Sequence, residues 1–173
     1  ADKYNRDNGV GGIIGSAVDR GGITMKISGC LNTSDVNGKT CVGGILGQPA
    51  NMTTPDLSTG AHVIKVADCM NTGNITASGT YAGGIVGYLK EPKYIIYVDR
   101  VYNTGAVSAT QYGLAVFGVP RKSVIKNAYY SNGPEDTTAV SVTPASAFAE
   151  NKELFPGLAN SEAWIVTNAG PVL

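Results

Sequence analysis

Apolar and polar residues alternate in several short segments of the chain, with the two-residue period of a β-strand that has one buried face. The alternating apolar positions are Ile23, Met25 and Ile27, then Ile64 and Val66, then Ile96 and Val98. Residues 9–130 show neither helix caps nor a 3.6-residue period. The hydrophobic pattern therefore predicts a region that is built from short strands.

Two sequence blocks repeat through the same region. In the first, paired glycines are followed by two apolar residues and a further glycine, and a degenerate copy stands at 113–118. The paired glycines are Gly11 and Gly12, Gly43 and Gly44, and Gly83 and Gly84. In the second block, an asparagine precedes a β-branched residue by four positions. These asparagines are Asn32, Asn71 and Asn103. The blocks recur every 31–40 residues, and the extra length of the second unit, residues 48–60, predicts a surface loop.

Repeats of this size predict stacked coils, because one unit cannot bury its apolar side alone. In register, equivalent residues would form columns on parallel strands about 4.8 Å apart. The predicted columns are Ile27, Val66, Val98 and Ile125; Cys30, Cys69, Val101 and Ala128; and Val36, Ile75 and Val107. We predict an all-β, right-handed parallel β-helix of about four coils over residues 1–133. Its units are about 9–40, 41–80, 81–111 and 112–133.

The repeated glycines and asparagines have structural explanations. Paired glycines suit a tight turn or a close approach of backbones, where a Cβ atom would clash. The asparagines tolerate left-handed backbone angles, and stacked amides can hydrogen-bond to one another as a ladder. We therefore interpret both blocks as structural and expect no catalytic role for them.

Residues 134–173 depart from the repeat and predict a C-terminal cap. We expect a helix over about 144–154, with Thr143 as its N-cap and Pro156 at its end, and a strand near 164–167. The aromatic residues expected to close the open end of the coils are Phe148, Phe155 and Trp164. Such a cap would hide the strand edges of the last coil.

Composition and charge narrow the possible functions. The 173 residues carry 13 Lys and Arg against 13 Asp and Glu, so the net charge is zero, and only 15% of residues are charged. Without a Lys or Arg cluster in the sequence, we expect neither a nucleic-acid partner nor an anionic membrane surface. No apolar run approaches the roughly 20 residues of a membrane span, so we expect no membrane insertion in this segment.

The residues that could carry chemistry are few and scattered. The chain has three cysteines and one histidine, with no C-x-x-C spacing, so we expect neither a metal site nor a cofactor. We interpret the cysteines as buried thiols, and the sequence leaves open whether two of them form a disulfide. His62 has no recurring acid or nucleophile beside it. In the repeat, Asp68 aligns with Arg100, and Asp99 aligns with an alanine, so no pair of acids recurs. We therefore expect no catalytic residues and no enzyme activity.

Tyrosine provides the one candidate for recognition. Tyr81 and Tyr112 share a column of the repeat, and Tyr88 and Tyr94 lie near Lys90 and Lys93, as does Tyr97. The candidate ligand-binding residues are Tyr81, Tyr112, Tyr88 and Tyr94. If several of the rings face solvent, they form an aromatic strip suited to a glycan or a protein. The alternative is that the rings are half-buried and only their hydroxyl groups are wet.

The two repeated blocks together resemble the GLUG repeat family. The first block reads Gly-Gly-Ile-Ile-Gly, Gly-Gly-Ile-Leu-Gly and Gly-Gly-Ile-Val-Gly-Tyr in successive copies. The block that follows each copy reads Cys-Leu-Asn-Thr, Cys-Met-Asn-Thr and Val-Tyr-Asn-Thr. The resemblance covers about residues 9–133, and Leu114 and Ala115 depart from it in the fourth copy. It implies an extracellular setting, since such repeats occur in large secreted or surface-anchored bacterial proteins. These include adhesins and the non-catalytic region of some immunoglobulin A peptidases. The resemblance brings no catalytic residues.

We expect a non-enzymatic structural and adhesive module of a secreted or cell-surface bacterial protein. In this interpretation a rigid repeat presents residues 48–60 and the tyrosines to a host glycan or an extracellular protein. The second interpretation is an accessory, non-catalytic domain of an extracellular peptidase or glycan-degrading enzyme. Because the chain starts at Ala1 and residues 1–8 are too few for a cap, we also expect a larger parent chain and a removed leader.

Overall fold

A computed structural model describes residues 9–18, 24–50, 62–89, 94–119, 123–144 and 148–173. Within these residues the chain is mostly β-strand, with two short helices near the C-terminus. The prediction of an all-β protein is confirmed. No helix in the described residues is long and apolar enough to cross a membrane.

The strands of the repeat region are short and follow one another closely. They are β1 Val10–Gly11, β2 Ile14–Val18, β3 Thr24–Asn32, β4 Val36–Gly38, β5 Val42–Gly43, β6 Leu46–Ala50, β7 His62–Asn71, β8 Ile75–Ala77, β9 Tyr81–Gly83, β10 Tyr94–Asn103, β11 Val107–Ala109, β12 Tyr112–Leu114 and β13 Ser123–Tyr130. The later elements are β14 Val140–Ser141, α1 Phe148–Leu154, α2 Pro156–Ala159, β15 Ile165–Thr167 and β16 Gly170–Val172.

Strands at equivalent positions of successive repeats pair in parallel. The sheet orders are β1-β5-β9-β12, β3-β7-β10-β13-β14, β4-β8-β11 and β2-β6, and the last continues through single bridges to Val86 and Phe117. Only the pair β15-β16 is antiparallel within the described residues. The three predicted columns are confirmed, because their members are register partners in these sheets. The parallel sheets fit a β-helix.

The Gly-Gly block contains a tight turn, which is one of the two uses expected for its paired glycines. In the second unit, β5 ends at Gly43 and β6 begins at Leu46, so the turn divides the block, and the first two units supply four strands each. A Cβ atom at Gly43 would collide with the Leu46 carbonyl oxygen across this turn. A Cβ atom at Gly44 would lie 2.6 Å from Cγ of Asn71. The first glycine therefore makes the turn, and the second leaves room for the asparagine.

The apolar columns fill the space between the sheets. The largest buried cluster lies between the β3-β7-β10-β13 sheet and the β2-β6 sheet with its continuation through Val86 and Phe117, and a second one lies between β4-β8-β11 and β1-β5-β9. The predicted asparagine ladder runs beside them. Nδ2 of Asn32 donates to Oδ1 of Asn71 at 2.6 Å, and Nδ2 of Asn71 donates to Oδ1 of Asn103 at 2.7 Å.

The four long strands of the largest sheet, β3, β7, β10 and β13, all bend at the same register position. The residues there have left-handed backbone angles: Gly29 at φ 64°, Asp68 at 51°, Arg100 at 55° and Asn127 at 45°. The bend breaks the alternation of faces, since Val66 and Cys69, three positions apart, both point into the core. One long strand thereby covers two faces of the repeat.

Two of the aromatic residues expected over the open end of the repeat lie on its flank, whereas β14, within the predicted cap, pairs with the last long strand β13. Phe155 and Trp164 join Leu158 in a cluster with the outward residues Met70, Tyr102 and Tyr129 of the bent sheet. The side chain of Phe148 lies outside the described residues. Thr143 and Pro144 are not helical, α1 is first described from Phe148, and Pro156 begins α2 instead of ending α1. The predicted strand is confirmed as β15.

Asp136 closes the last repeat, a role that the sequence did not predict. In the third repeat, the backbone N–H groups of Ile85 and Val86 donate to the carbonyl of Val116 at 2.9 and 3.1 Å. One repeat further on, the N–H groups of Val116 and Phe117 donate to Oδ2 of Asp136 at 3.0 and 3.2 Å. The buried carboxylate of Asp136 thus takes the place of the carbonyl that a further repeat would supply.

Candidate functional site

Three tyrosine rings form a continuous stack beside the Gly-Gly turns. The ring centroids of Tyr81 and Tyr88 lie 4.1 Å apart with the planes 9° from parallel. The centroids of Tyr81 and Tyr112 lie 5.4 Å apart at 16°. Register pairing of β9 with β12 brings Tyr81 and Tyr112 together, as the repeat predicted.

Exposure rises along this stack. Tyr88 is buried at 8%, Tyr81 is half-buried, and Tyr112 is 54% exposed. The buried ring fixes the middle one, which in turn holds the exposed ring. A flat, pre-ordered aromatic surface of this kind can accept the apolar face of a sugar ring at little cost in side-chain entropy.

Tyr94, the fourth candidate, does not belong to this surface. It is completely buried within the main core, at the start of β10. The sequence carried a signal for this burial, because Tyr94 is two residues before Ile96 and continues the alternation of Ile96 and Val98 on the buried face.

Several other candidates fall wholly or partly outside the described residues. Lys90 and Lys93 do so entirely, and of the predicted loop 48–60 only residues 48–50, the end of β6, are described. His62 pairs with Tyr94 in the β7–β10 register, but its side chain is outside the described set.

A polar cluster occupies the bend of the largest sheet. Arg100 donates from Nε and Nη2 to the two carboxylate oxygens of Asp68 at 2.7 and 2.8 Å, and from Nη1 to Asp99. Asn127 donates to the second oxygen of Asp99 at 2.8 Å. Ser161, which follows α2, donates its hydroxyl to Asp68 at 3.0 Å. The cluster thus joins the C-terminal segment to the strands.

This pairing changes the titration of both main partners. The hydrogen bond from Arg100 lowers the pKa of Asp68 below its usual value, against the opposing effect of burial, and Ser161 assists. The same hydrogen bond raises the pKa of Arg100. Both groups therefore stay ionised near neutral pH and neutralise each other, which makes Asp68 a poor proton donor or acceptor.

A groove on the outer face of the same sheet is a feature that the sequence analysis missed. It has a volume of about 610 Å³, and its lining includes Lys65, Tyr97, Arg100, Val124 and Lys126. These residues are dispersed along the chain, and only the register of the strands brings them together. The repeat spacing could have revealed these lining residues, since the outward positions of the strands align across repeats in the same way as the buried columns.

Cys30 and Cys69 are free thiols. Cys41 and Cys69 are buried as predicted, whereas Cys30 is half-buried. Cys30 and Cys69 are register partners, and burial raises the pKa of the Cys69 thiol to about 12. The described residues contain no group of three or more His, Cys, Asp or Glu side chains that could hold a metal ion.

No family model, no curated protein and no solved structure matches this chain.

Proposed function

We propose that the chain is a non-enzymatic, rigid scaffold that presents an aromatic platform to a glycan, within a secreted or cell-surface bacterial protein. The proposed architecture is a right-handed parallel β-helix of about four coils. Four parallel sheets, with register partners one repeat apart, support this architecture. The resemblance of the repeated blocks to GLUG repeats supports the extracellular setting.

The observation that carries the proposal is the tyrosine stack with one exposed end. Tyr112 is held parallel to Tyr81 and leaves its outer face to solvent. Sugar rings present axial C–H groups that pack against such faces, and the tyrosine hydroxyl can hydrogen-bond to a sugar hydroxyl. The buried asparagine ladder and the parallel ladders hold the platform in place.

The direct test is a glycan array probed with the native chain and with Tyr112→Ala and Tyr112→Phe variants. Loss of the stacking face should weaken binding to an uncharged glycan by about tenfold or more, since aromatic anchors carry much of the free energy of such sites. Tyr112→Phe keeps the face and should retain most of the binding.

Tyr97→Ala is the matched control, because Tyr97 is also exposed, at 38%, but lies on the largest sheet, away from the stack. This variant should bind uncharged glycans like the native chain. The proposal fails if the folded native chain binds no glycan, or if Tyr112→Ala and Tyr97→Ala weaken binding equally.

A further inference from the structure

We propose that the outer face of the β3-β7-β10-β13 sheet is a second binding site, which takes an anionic polysaccharide. This site is separate from the tyrosine stack and does not depend on it. Three features carry the inference: three lysines without an ion pair on one face, an aromatic and aliphatic floor, and carboxylates that are already neutralised.

The lysines come from three different strands. Lys26 and Lys65 are direct register partners on β3 and β7, so their backbones lie about 4.8 Å apart, with both side chains exposed. Lys126 is exposed on the same face of β13, in the neighbouring row, where its register partner on β10 is Asp99. Among the described residues, none of these three ammonium groups makes an ion pair.

This arrangement is unfavourable without a ligand. Like charges on directly opposite residues of neighbouring strands destabilise a sheet. The carboxylates of Asp68 and Asp99 cannot relieve the repulsion, because Arg100 already engages both of them and Asn127 engages Asp99. Taken together, the three lysines, Arg100 and the two aspartates leave a net charge of about +2 on this face. An anionic ligand would remove the repulsion that the fold leaves in place.

The floor between the lysines favours a sugar ring over a simple ion. Tyr97 is the register partner of Lys65, whose Nζ atom lies 5.9 Å from the tyrosine ring centroid. Val124 follows Tyr97 in the same row and is 38% exposed, and Val63 also lines the groove. A ring can pack on this apolar strip while its carboxylate or sulfate groups reach the flanking lysines.

The ligand class is therefore a polysaccharide that carries carboxylate or sulfate groups. Two probes distinguish carboxylate from sulfate groups: oligomers of galacturonic acid carry only carboxylates, and chondroitin sulfate also carries sulfates. Dextran serves as the uncharged sugar probe and duplex DNA as the polyanion without exposed sugar faces. Binding is measured by calorimetry on the full chain at about 0.15 M salt and again at higher salt.

We expect at least one anionic polysaccharide to bind this face, more weakly as salt rises, and to raise the melting temperature of the chain. Lys26→Gln/Lys65→Gln should weaken this binding by about tenfold or more. Lys39→Gln, an exposed lysine that follows β4, is the matched control and should change nothing. Tyr97→Ala should also weaken binding, and Tyr97→Phe should not.

The double lysine variant should remain folded, because it removes only exposed charges from the sheet, and its melting temperature provides the check. Tyr112→Ala should bind the anionic probes normally, which separates failure here from failure of the proposed glycan platform. The inference is overturned if neither anionic polysaccharide binds or if duplex DNA binds equally well. It is also overturned if the double variant binds like Lys39→Gln.

Discussion

The amide of Asn71 illustrates how one residue type stabilises the stacked repeats. It is completely buried, accepts from Asn32, and donates to both Asn103 and the carbonyl of Gly73. Gly44 presses against this amide, so the glycine and the asparagine form one unit of packing. The two repeated blocks of the sequence meet here in space.

Replacing Asn71 by alanine should therefore be costly. The buried Nδ2 of Asn32 and Oδ1 of Asn103 would each lose a partner, and we expect a decrease of about 2–4 kcal/mol in the free energy of unfolding. Denaturant unfolding measures the change. Asn37→Ala, at an exposed position of β4, is the control and should cost about 0.5 kcal/mol or less. Equal losses for the two variants would contradict the ladder's role.

At the scale of elements, the bend in the largest sheet determines how the C-terminal segment attaches. Because Asp68 adopts a left-handed backbone at the bend, it stands beside Arg100 of the next strand and within reach of Ser161. Gly157 adds a second contact, since its N–H donates to the hydroxyl of Tyr129 at 3.1 Å. The attachment is therefore partly electrostatic.

This attachment should weaken in acid. Arg100 lowers the pKa of Asp68 below its ordinary value of 3.8, so the folded chain binds fewer protons there than the unfolded chain. The stabilisation is present above about pH 4 and is lost as the pH falls through the lower folded value. Asp68→Asn should lower the free energy of unfolding by about 1–2 kcal/mol near neutral pH. The difference in this free energy between the variant and the native chain should narrow below pH 3.8.

Chemical denaturation over a series of pH values measures this difference. Glu162→Gln is the control, because it removes an exposed carboxylate one residue from Ser161 without touching the cluster. If the difference in free energy of unfolding between Asp68→Asn and the native chain stays constant from neutral pH into acid, the ion pair is not its cause.

The elements that the sequence predicted correctly are those with repeated, local signals. Columns of apolar residues and the asparagine ladder follow from spacing alone, and so does the pairing of Tyr81 with Tyr112. The flank position of Trp164 was not predicted, because it depends on which surface the C-terminal segment packs against. The burial of Tyr94 was missed although Tyr94 continues the alternation of Ile96 and Val98. The group of three lysines was missed because its members are dispersed in sequence and the net charge is zero.

At the scale of the whole molecule, strands pair with the equivalent strands of the neighbouring repeats, so we expect the ends to determine where unfolding begins. Asp136 closes one end by accepting from the N–H groups of Val116 and Phe117, and it also accepts from the backbone and hydroxyl of Thr138. Removing its carboxylate would leave buried donors without acceptors, which costs about 1–3 kcal/mol for each group.

Asp136→Ala should consequently loosen the last repeat more than the first. Native-state hydrogen exchange should show the largest increase at residues 112–119, with smaller changes towards β1, because the loss spreads only through neighbouring repeats. Asp136→Asn keeps one acceptor oxygen and should fall between the alanine variant and the native chain. Glu135→Ala, at an exposed neighbouring position, should leave exchange unchanged. A uniform increase in exchange rate along the chain would instead show that the repeats unfold as one cooperative unit. In that case the end closed by Asp136 would not determine where unfolding begins.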